Sequence, residues 1–338
     1  MSGSAKMVRV VLGTMTFSGQ TKKQEATKMI QKFVKAAVSG DHPELDSASM
    51  YGMGKTEKLL GEIFADHPDL RRECFVASKA NPFGKSTLSA DCVRSQCEAS
   101  LSSIRSDAFD VYYLHAPDPD TKIEETLEAV QQLYTEGKFK RLALSNFEAW
   151  EVVWICSFMK ERGWVVPTIY QGMYNAITRR VEAELFPALR RLGMSFYAYN
   201  PLSGGMLTGK YDRGNAPKGG RFNSKTVWGK IYQGRFMQDS QFDAVERIAA
   251  ASRAGGIEPA DAALRWLMHH SQLSGECGDA IIIGASKMVH FDANMESASR
   301  GELDASIVTA IDEGAKLCEA CAPKYSRGFS GSGKEKYC

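Results

Sequence analysis

The 338-residue sequence has no apolar run approaching the roughly 18 residues that a membrane-spanning helix requires. It also lacks an excess of either charge: 42 basic residues against 40 acidic ones leave a formal net charge of +2. Such a balance gives no footprint for nucleic acid or an anionic membrane, so any phosphate would be held by a few local side chains. The N-terminal MSGSAKMVRVVLGTM has only a short, strand-like apolar run and no cleavage-site pattern after it. The eight cysteines are scattered, and without a secretory signal they read as reduced thiols of a cytoplasmic protein. Cys318 and Cys321 have C-x-x-C spacing, but no second pair or nearby histidines complete a zinc set. Helix-face packing is the expectation for that pair, and no metal is expected. The first strand is followed by LGTMTFSG, which is not G-x-G-x-x-G; this counts against a doubly wound dinucleotide-binding sheet.

What is present is a series of short β-rich runs with amphipathic segments between them. Strands are expected at 8–14, 44–48, 74–80, 111–116, 141–147, 168–174, 195–202 and 280–286. Between them, TLEAVQQLYTEGK (126–138) carries apolar residues at Leu127, Val130, Leu133 and Tyr134, and its glycine supplies a stop. Eight strands alternating with helices, without a break in composition, predict a closed α/β barrel, a (β/α)8 TIM barrel. One domain is expected over 8–327. The segment 203–245, between strands seven and eight, exceeds an ordinary connection and reads as a functional loop over the barrel mouth. The Gly- and Ser-rich end, 328–338, reads as a disordered tail at that mouth.

Groups at the C-terminal ends of barrel strands share one pocket. Strand two ends near Asp46, strand three at Lys79, strand four at His115 and strand five at Ser145-Asn146, while strand six holds Gln171 and strand seven ends in Asn200. Tyr51 lies on the loop after strand two. Singly, each has a bland reading: a snorkelling lysine, a turn histidine, an aspartate that caps a helix. As a set they have a chemistry. An ammonium beside a phenol favours the phenolate, and Asp46 supplies the counter-ion that a lysine in an apolar barrel needs. His115 can hold a carbonyl oxygen within reach of Tyr51, which makes a proton-donating site for a carbonyl that receives hydride. No side chain donates hydride, so that step calls for a cofactor.

The stretches DSASMYG, ASKA, YYLHAPD and LALSNF resemble the aldo-keto reductase superfamily over residues 8 to 327. The run QGMYNAITRRVEAELFPALRRLGMSFYAYNPLSGGMLTGKY (171–211) is similar to its aflatoxin-aldehyde and succinic-semialdehyde reductase branch. The resemblance implies a catalytic tetrad of Asp46, Tyr51, Lys79 and His115, with Tyr51 as general acid and NADPH as cofactor. It implies contacts to the nicotinamide from Ser145, Asn146, Gln171 and Tyr199, with Asn200 beside them and Met15 near the ribose, and to the pyrophosphate from Leu202, Gly204 and Lys210, with Arg221 a basic residue of the mobile loop. Gly284, Ser286, His290 and Asn294 would face the adenosine end, with the 2′-phosphate near Ser286 and a cation, Lys210, Arg221 or Lys287. His290 departs from the glutamine that relatives commonly carry there. Carbonyl substrates of this branch often bear a carboxylate or a second carbonyl, for which Arg235 and Arg327 are candidates, with Phe83 and Trp228 as pocket walls. A homodimer is implied by the same resemblance. Gly204–Lys210 also imitates the start of a phosphate-binding loop, but Tyr211 stands where a hydroxyl for magnesium should be. The competing reading is a cofactor-binding sensor like the potassium-channel β subunits that resemble the family; the complete tetrad argues against it.

Overall fold

The computed structural model describes residues 6–37, 42–214, 217 and 220–333, and the side chain of Trp228 lies outside the described residues. The strands are β1 (Arg9–Gly13), β2 (Glu44–Asp46), β3 (Phe75–Ala80), β4 (Phe109–Leu114), β5 (Phe139–Ser145), β6 (Ile169–Met173), β7 (Ser195–Tyr199) and β8 (Ala280–Ile283). Each pairs parallel with the next, and β8 closes on β1. The helices are α1 (Lys23–Ala36), α2 (Lys55–Asp66), α3 (Pro68–Glu73), α4 (Ala90–Ile104), α5 (Ile123–Thr135) and α6 (Ala149–Glu161). They continue as α7 (Leu185–Leu192), α8 (Val227–Phe236), α9 (Asp239–Ala254), α10 (Pro259–His269), α11 (Met288–Ser299) and α12 (Ala305–Cys318). The architecture is the expected (β/α)8 barrel. Strand ends differ by up to three residues: β7 stops at Tyr199 because Asn200 turns to φ 55°, and β2 stops at Asp46.

Two-residue alternation sorts the strand side chains into two cores. Val11, Ala77, Val111, Tyr113, Ala143, Ile169, Tyr197, Ala280 and Ile282 fill the barrel interior. Their neighbours Leu12, Val76, Tyr112, Leu142, Tyr170, Phe196 and Ile281 point outward under the helices. The helices supply matching apolar faces. In α5, Leu127, Val130 and Leu133 are buried; the helix begins and ends about a turn earlier than expected, and Gly137 leaves it at φ 73°.

The long connection between β7 and β8 carries secondary structure of its own: segment 203–245 holds 3-10 turns at Ser203–Thr208 and Gly220–Phe222, helix α8, and the first turns of α9. Aromatic residues drive this, with Phe222 set against Tyr211 and Tyr232, and Tyr232 against Phe236. Of the expected tail, residues 328–333 are described and are hydrogen-bonded to the barrel. The N–H of Ser330 donates to Glu151, that of Gly331 to the Asp118 carbonyl, and that of Gly333 to the Pro119 carbonyl. Residues 334–338 lie outside the described residues. Cys318 is buried at the end of α12, and the Cys321 sulfur lies 3.0 Å from the Ser240 hydroxyl. Among the described residues no helix is long and apolar enough to cross a membrane, and no His/Cys/Asp/Glu cluster could hold a metal ion.

Helix α2 seats against α4 through Gly61, where an added Cβ would stand 2.2 Å from the Ser103 carbonyl oxygen. Alanine is intrinsically favoured in a helix by about 1 kcal/mol over glycine. Here a backbone atom, which cannot rotate away, opposes it. Gly61→Ala is expected to lower unfolding free energy by about 1–3 kcal/mol in a denaturant titration, the range for overpacking; a stabilised variant would contradict this packing.

Candidate active site

The alternation that fills the barrel also builds its mouth. Lys79 lies two residues beyond Ala77, Ser145 beyond Ala143, Gln171 beyond Ile169 and Tyr199 beyond Tyr197. On β2, Glu44 and Asp46 are both buried. Each polar residue is therefore the next inward position above a packed layer. Lys79 is fully buried, and its Nζ donates to Asp46 Oδ1 at 2.5 Å and to the Ser47 carbonyl at 2.6 Å. Gln171 Nε2 donates to the same Asp46 oxygen at 2.8 Å. Burial pulls the Lys79 ammonium down from its ordinary range, and Asp46 opposes that most strongly.

Tyr51 sits at the start of a tight turn, Tyr51–Gly54, in which Gly52, Met53 and Gly54 all take positive φ. The turn brings its ring to 5.5 Å from Lys79 Nζ and 6.2 Å, edge-on, from His115. Phe83 meets His115 edge-on at 5.6 Å, and the Arg327 guanidinium lies over Phe83 at 5.0 Å. Tyr51, Phe83, His115 and Arg327 come from four different segments and lie against one another above Lys79.

The electrostatics differ from the sequence expectation in one respect. Burial, then the Asp46 carboxylate and Tyr232, raise the Tyr51 phenol well above its ordinary value, with Arg221 opposing. The Lys79 ammonium is bonded to Asp46, so the resting phenol keeps its proton. Burial also holds His115 well below its ordinary range, aided by the charges of Lys79 and Arg327. His115 is neutral at physiological pH, with its buried Nδ1 unpartnered among the described residues. A neutral imidazole beside a protonated phenol can hold and protonate an oxygen.

The expected cofactor residues fall into two groups. Ser145 and Gln171 are register partners across β5 and β6. Asn146, at φ 64°, donates to the His115 carbonyl and to Ser145 Oγ, and accepts from the Tyr199 hydroxyl at 2.8 Å. This hydroxyl-and-amide set suits a carboxamide. Arg221 reaches back to Asn200 Oδ1 at 3.0 Å and the Tyr232 hydroxyl at 3.3 Å. Leu202 and Gly204 belong to the turn after β7, where Gly204 has φ 70° and an added Cβ would stand 2.8 Å from the Tyr232 ring. Lys210 lies against Tyr211, 5.2 Å from its ring centre, and Met15 is exposed on the loop after β1.

At the second group, Gly284 and Ser286 follow β8, and exposed His290 and half-buried Asn294 lie on α11. The N-terminus expected there as an anion site is already partly capped, because the Met288 N–H donates to Glu25 at 2.9 Å. Arg235 is half-buried on α8, and its charge reaches Tyr199 after that of Arg327. Sequence reasoning missed Tyr113, whose ring lies 4.8 Å from Lys79 Nζ, and Tyr232. Alternation marks Tyr113, two residues before His115; nothing local marks Tyr232.

A parallel eight-stranded barrel with this buried ion pair, phenol and imidazole at its C-terminal mouth is the architecture of a carbonyl-reducing oxidoreductase. The chain matches the Aldo/keto reductase family over residues 9–316, and it belongs to that family. It is 42% identical over 327 residues to aflatoxin B1 aldehyde reductase member 2 of Homo sapiens, covering 95% of this chain and 90% of that one. Human aflatoxin B1 aldehyde reductase member 4 is 41% identical over 93% of this chain and 96% of its own. Human aldo-keto reductase family 7 member A3 is 40% identical over 94% and 96%. The chain is an oxidoreductase of the aldo-keto reductase type, whose members generally use a nicotinamide cofactor.

Because His115 is held neutral in the folded protein, the unfolded chain binds the extra proton first, near its ordinary value of about 6.5. Stability is complete above that pH and falls as pH drops through the window below it. His115→Gln is expected to flatten this dependence between pH 7.5 and 5.5, measured by denaturant unfolding. An unchanged slope would contradict the burial of a neutral imidazole.

Proposed function

We propose that the chain reduces aldehydes or ketones with NADPH, including substrates bearing a carboxylate or a second carbonyl, with Tyr51 as the general acid. The observation that carries this reading is the buried Lys79–Asp46 pair set against the Tyr51 ring, with neutral His115 on the other side. The Ser145 hydroxyl and the part of the Gln171 amide not spent on Asp46, with Asn146 beside them, are the proposed contacts to a nicotinamide carboxamide, and the bound cofactor would supply hydride to the carbonyl carbon. His115 orients the carbonyl oxygen. Tyr51 keeps its proton until negative charge develops on that oxygen, then transfers it as the C–O bond becomes single. Lys79 stabilises the phenolate that remains, and Asp46 holds Lys79 in place.

For the cofactor's 2′-phosphate, Ser286 and Lys287 are the proposed contacts, with Lys210 and Arg221 nearer the pyrophosphate. Since Glu25 already takes the Met288 N–H, cationic side chains carry more of this preference than the α11 N-terminus does. Arg327 and Arg235 are proposed to meet a substrate carboxylate.

NADPH should bind more tightly than NADH, read as quenching of protein or cofactor fluorescence; equal dissociation constants at moderate salt would contradict the phosphate assignment. Tyr51→Phe should fold and bind NADPH like the parent, while turnover of 4-nitrobenzaldehyde falls by a factor of about 10² or more. Near-parental turnover would remove Tyr51 from the acid role. NADPH binding by the parent without turnover of any aldehyde would favour the sensor reading instead.

A further inference from the structure

The chain continues past Arg327, and the continuation is tied down at several points. Arg327 itself is held by its backbone N–H, which donates to the Asn146 carbonyl at 2.9 Å. Just before it, the Ser326 hydroxyl donates to Glu148 at 2.5 Å. Just after it, the Phe329 ring meets Trp150 edge-on at 5.5 Å, and the Ser330 N–H donates to Glu151 Oε1 at 2.9 Å. The last described residues cross to the loop after β4, where Gly331 and Gly333 donate to the carbonyls of Asp118 and Pro119 at 3.0 and 2.7 Å. That loop is itself rigid: the Asp118 carboxylate accepts from the Leu88 N–H and the Thr121 hydroxyl. The segment 328–333 thus spans from the first turn of α6 to the β4–α5 loop, and Arg327 sits at its inner end.

The Arg327 guanidinium lies over Phe83, which in turn touches His115, and it is hydrogen-bonded to the Tyr199 hydroxyl. A guanidinium on a long side chain recognises a carboxylate well only when its backbone is anchored, because otherwise the entropy of holding it offsets the bond. Glu151 is suited to the anchoring role. It is buried at the N-terminus of α6, and its carboxylate faces the strap rather than solvent.

We propose that residues 328–333, anchored through Glu151, are a strap that positions Arg327 and so sets selectivity for carboxylate-bearing carbonyl substrates. The inference rests on the reading of Arg327 as a carboxylate contact in a carbonyl reductase. It assigns Glu151 and Ser330 as positioning residues that touch neither substrate nor cofactor. Removing the strap should leave chemistry at the carbonyl intact and weaken only the hold on the distant carboxylate.

The test compares the full chain with a chain ending at Gly328, and with Glu151→Ala, Glu151→Gln and Ser330→Pro. Substrates are 2-carboxybenzaldehyde and the carboxylate-free 4-nitrobenzaldehyde, with NADPH. The strap predicts that truncation, Glu151→Ala and Ser330→Pro each raise KM for 2-carboxybenzaldehyde about fivefold to tenfold, the scale of one weakened charge-assisted contact. Their kcat, and both constants for 4-nitrobenzaldehyde, should stay within about twofold. Glu151→Gln retains an acceptor for the Ser330 N–H and should restore the parental KM. Unchanged KM in the soluble variants, or equal loss on both aldehydes, overturns the strap. If truncation prevents folding, the three point substitutions decide the matter alone. Failure of the underlying reading would show differently, as absence of 4-nitrobenzaldehyde turnover by the parent, or as a parental KM for 2-carboxybenzaldehyde in Arg327→Met.

Discussion

An ammonium enclosed in a barrel core is the constraint on which the rest of this site depends. Lys79 is fully buried, and an isolated charge in such a place would lose its proton or unfold the protein. Asp46, one strand away, makes the charge tolerable, and Gln171 and the Ser47 carbonyl complete the hydrogen bonding around the pair. Such a pair is no guarantee of stability, since desolvation can outweigh the attraction, but breaking it by removing one partner costs about 3–5 kcal/mol. The pair therefore favours one arrangement of β2, β3 and β6. Tyr51 and His115 are then packed against a fixed positive charge whose effect on the phenol is withheld until the phenol ionises.

A second charged network lies at the opposite end of the barrel. Glu44, two residues before Asp46, is held by Arg141 at 3.2 Å and by Arg9 at 3.7 Å, with the Tyr197 hydroxyl at 3.3 Å. Burial raises its carboxyl, while the two arginines oppose this. Between the two networks lie Tyr113 and the apolar interior layer. The barrel is thus charged at both ends and apolar in the middle, and burial desolvates Lys79.

Much of this was legible in the sequence, for a physical reason. Strand side chains alternate, barrel strands all point their C-terminal ends at one mouth, and ionisable residues are expensive inside a core. Asp46, Lys79 and His115 near strand ends therefore stood out, as did the eight strands. The contacts that were not legible join residues far apart in the chain. Glu25 caps α11 across 263 positions, and Glu151 takes the Ser330 N–H across 179. The tail's Gly and Ser content signals little intrinsic order, yet its backbone donors find acceptors on loops that only the closed barrel brings near. Likewise the resting state of Tyr51 followed from burial and the commitment of Lys79 to Asp46, which spacing alone does not reveal.

The central claim is that Asp46 and Lys79 act as one unit, and a double-mutant cycle tests it most directly. Unfolding free energies of Asp46→Asn, Lys79→Met and the double variant would be compared with the parent by denaturant titration. Each single variant leaves one buried partner uncompensated, so the account predicts that the double variant is more stable than the sum of the singles implies, by about 2–3 kcal/mol of coupling. Additive effects, with coupling below about 0.5 kcal/mol, would contradict it.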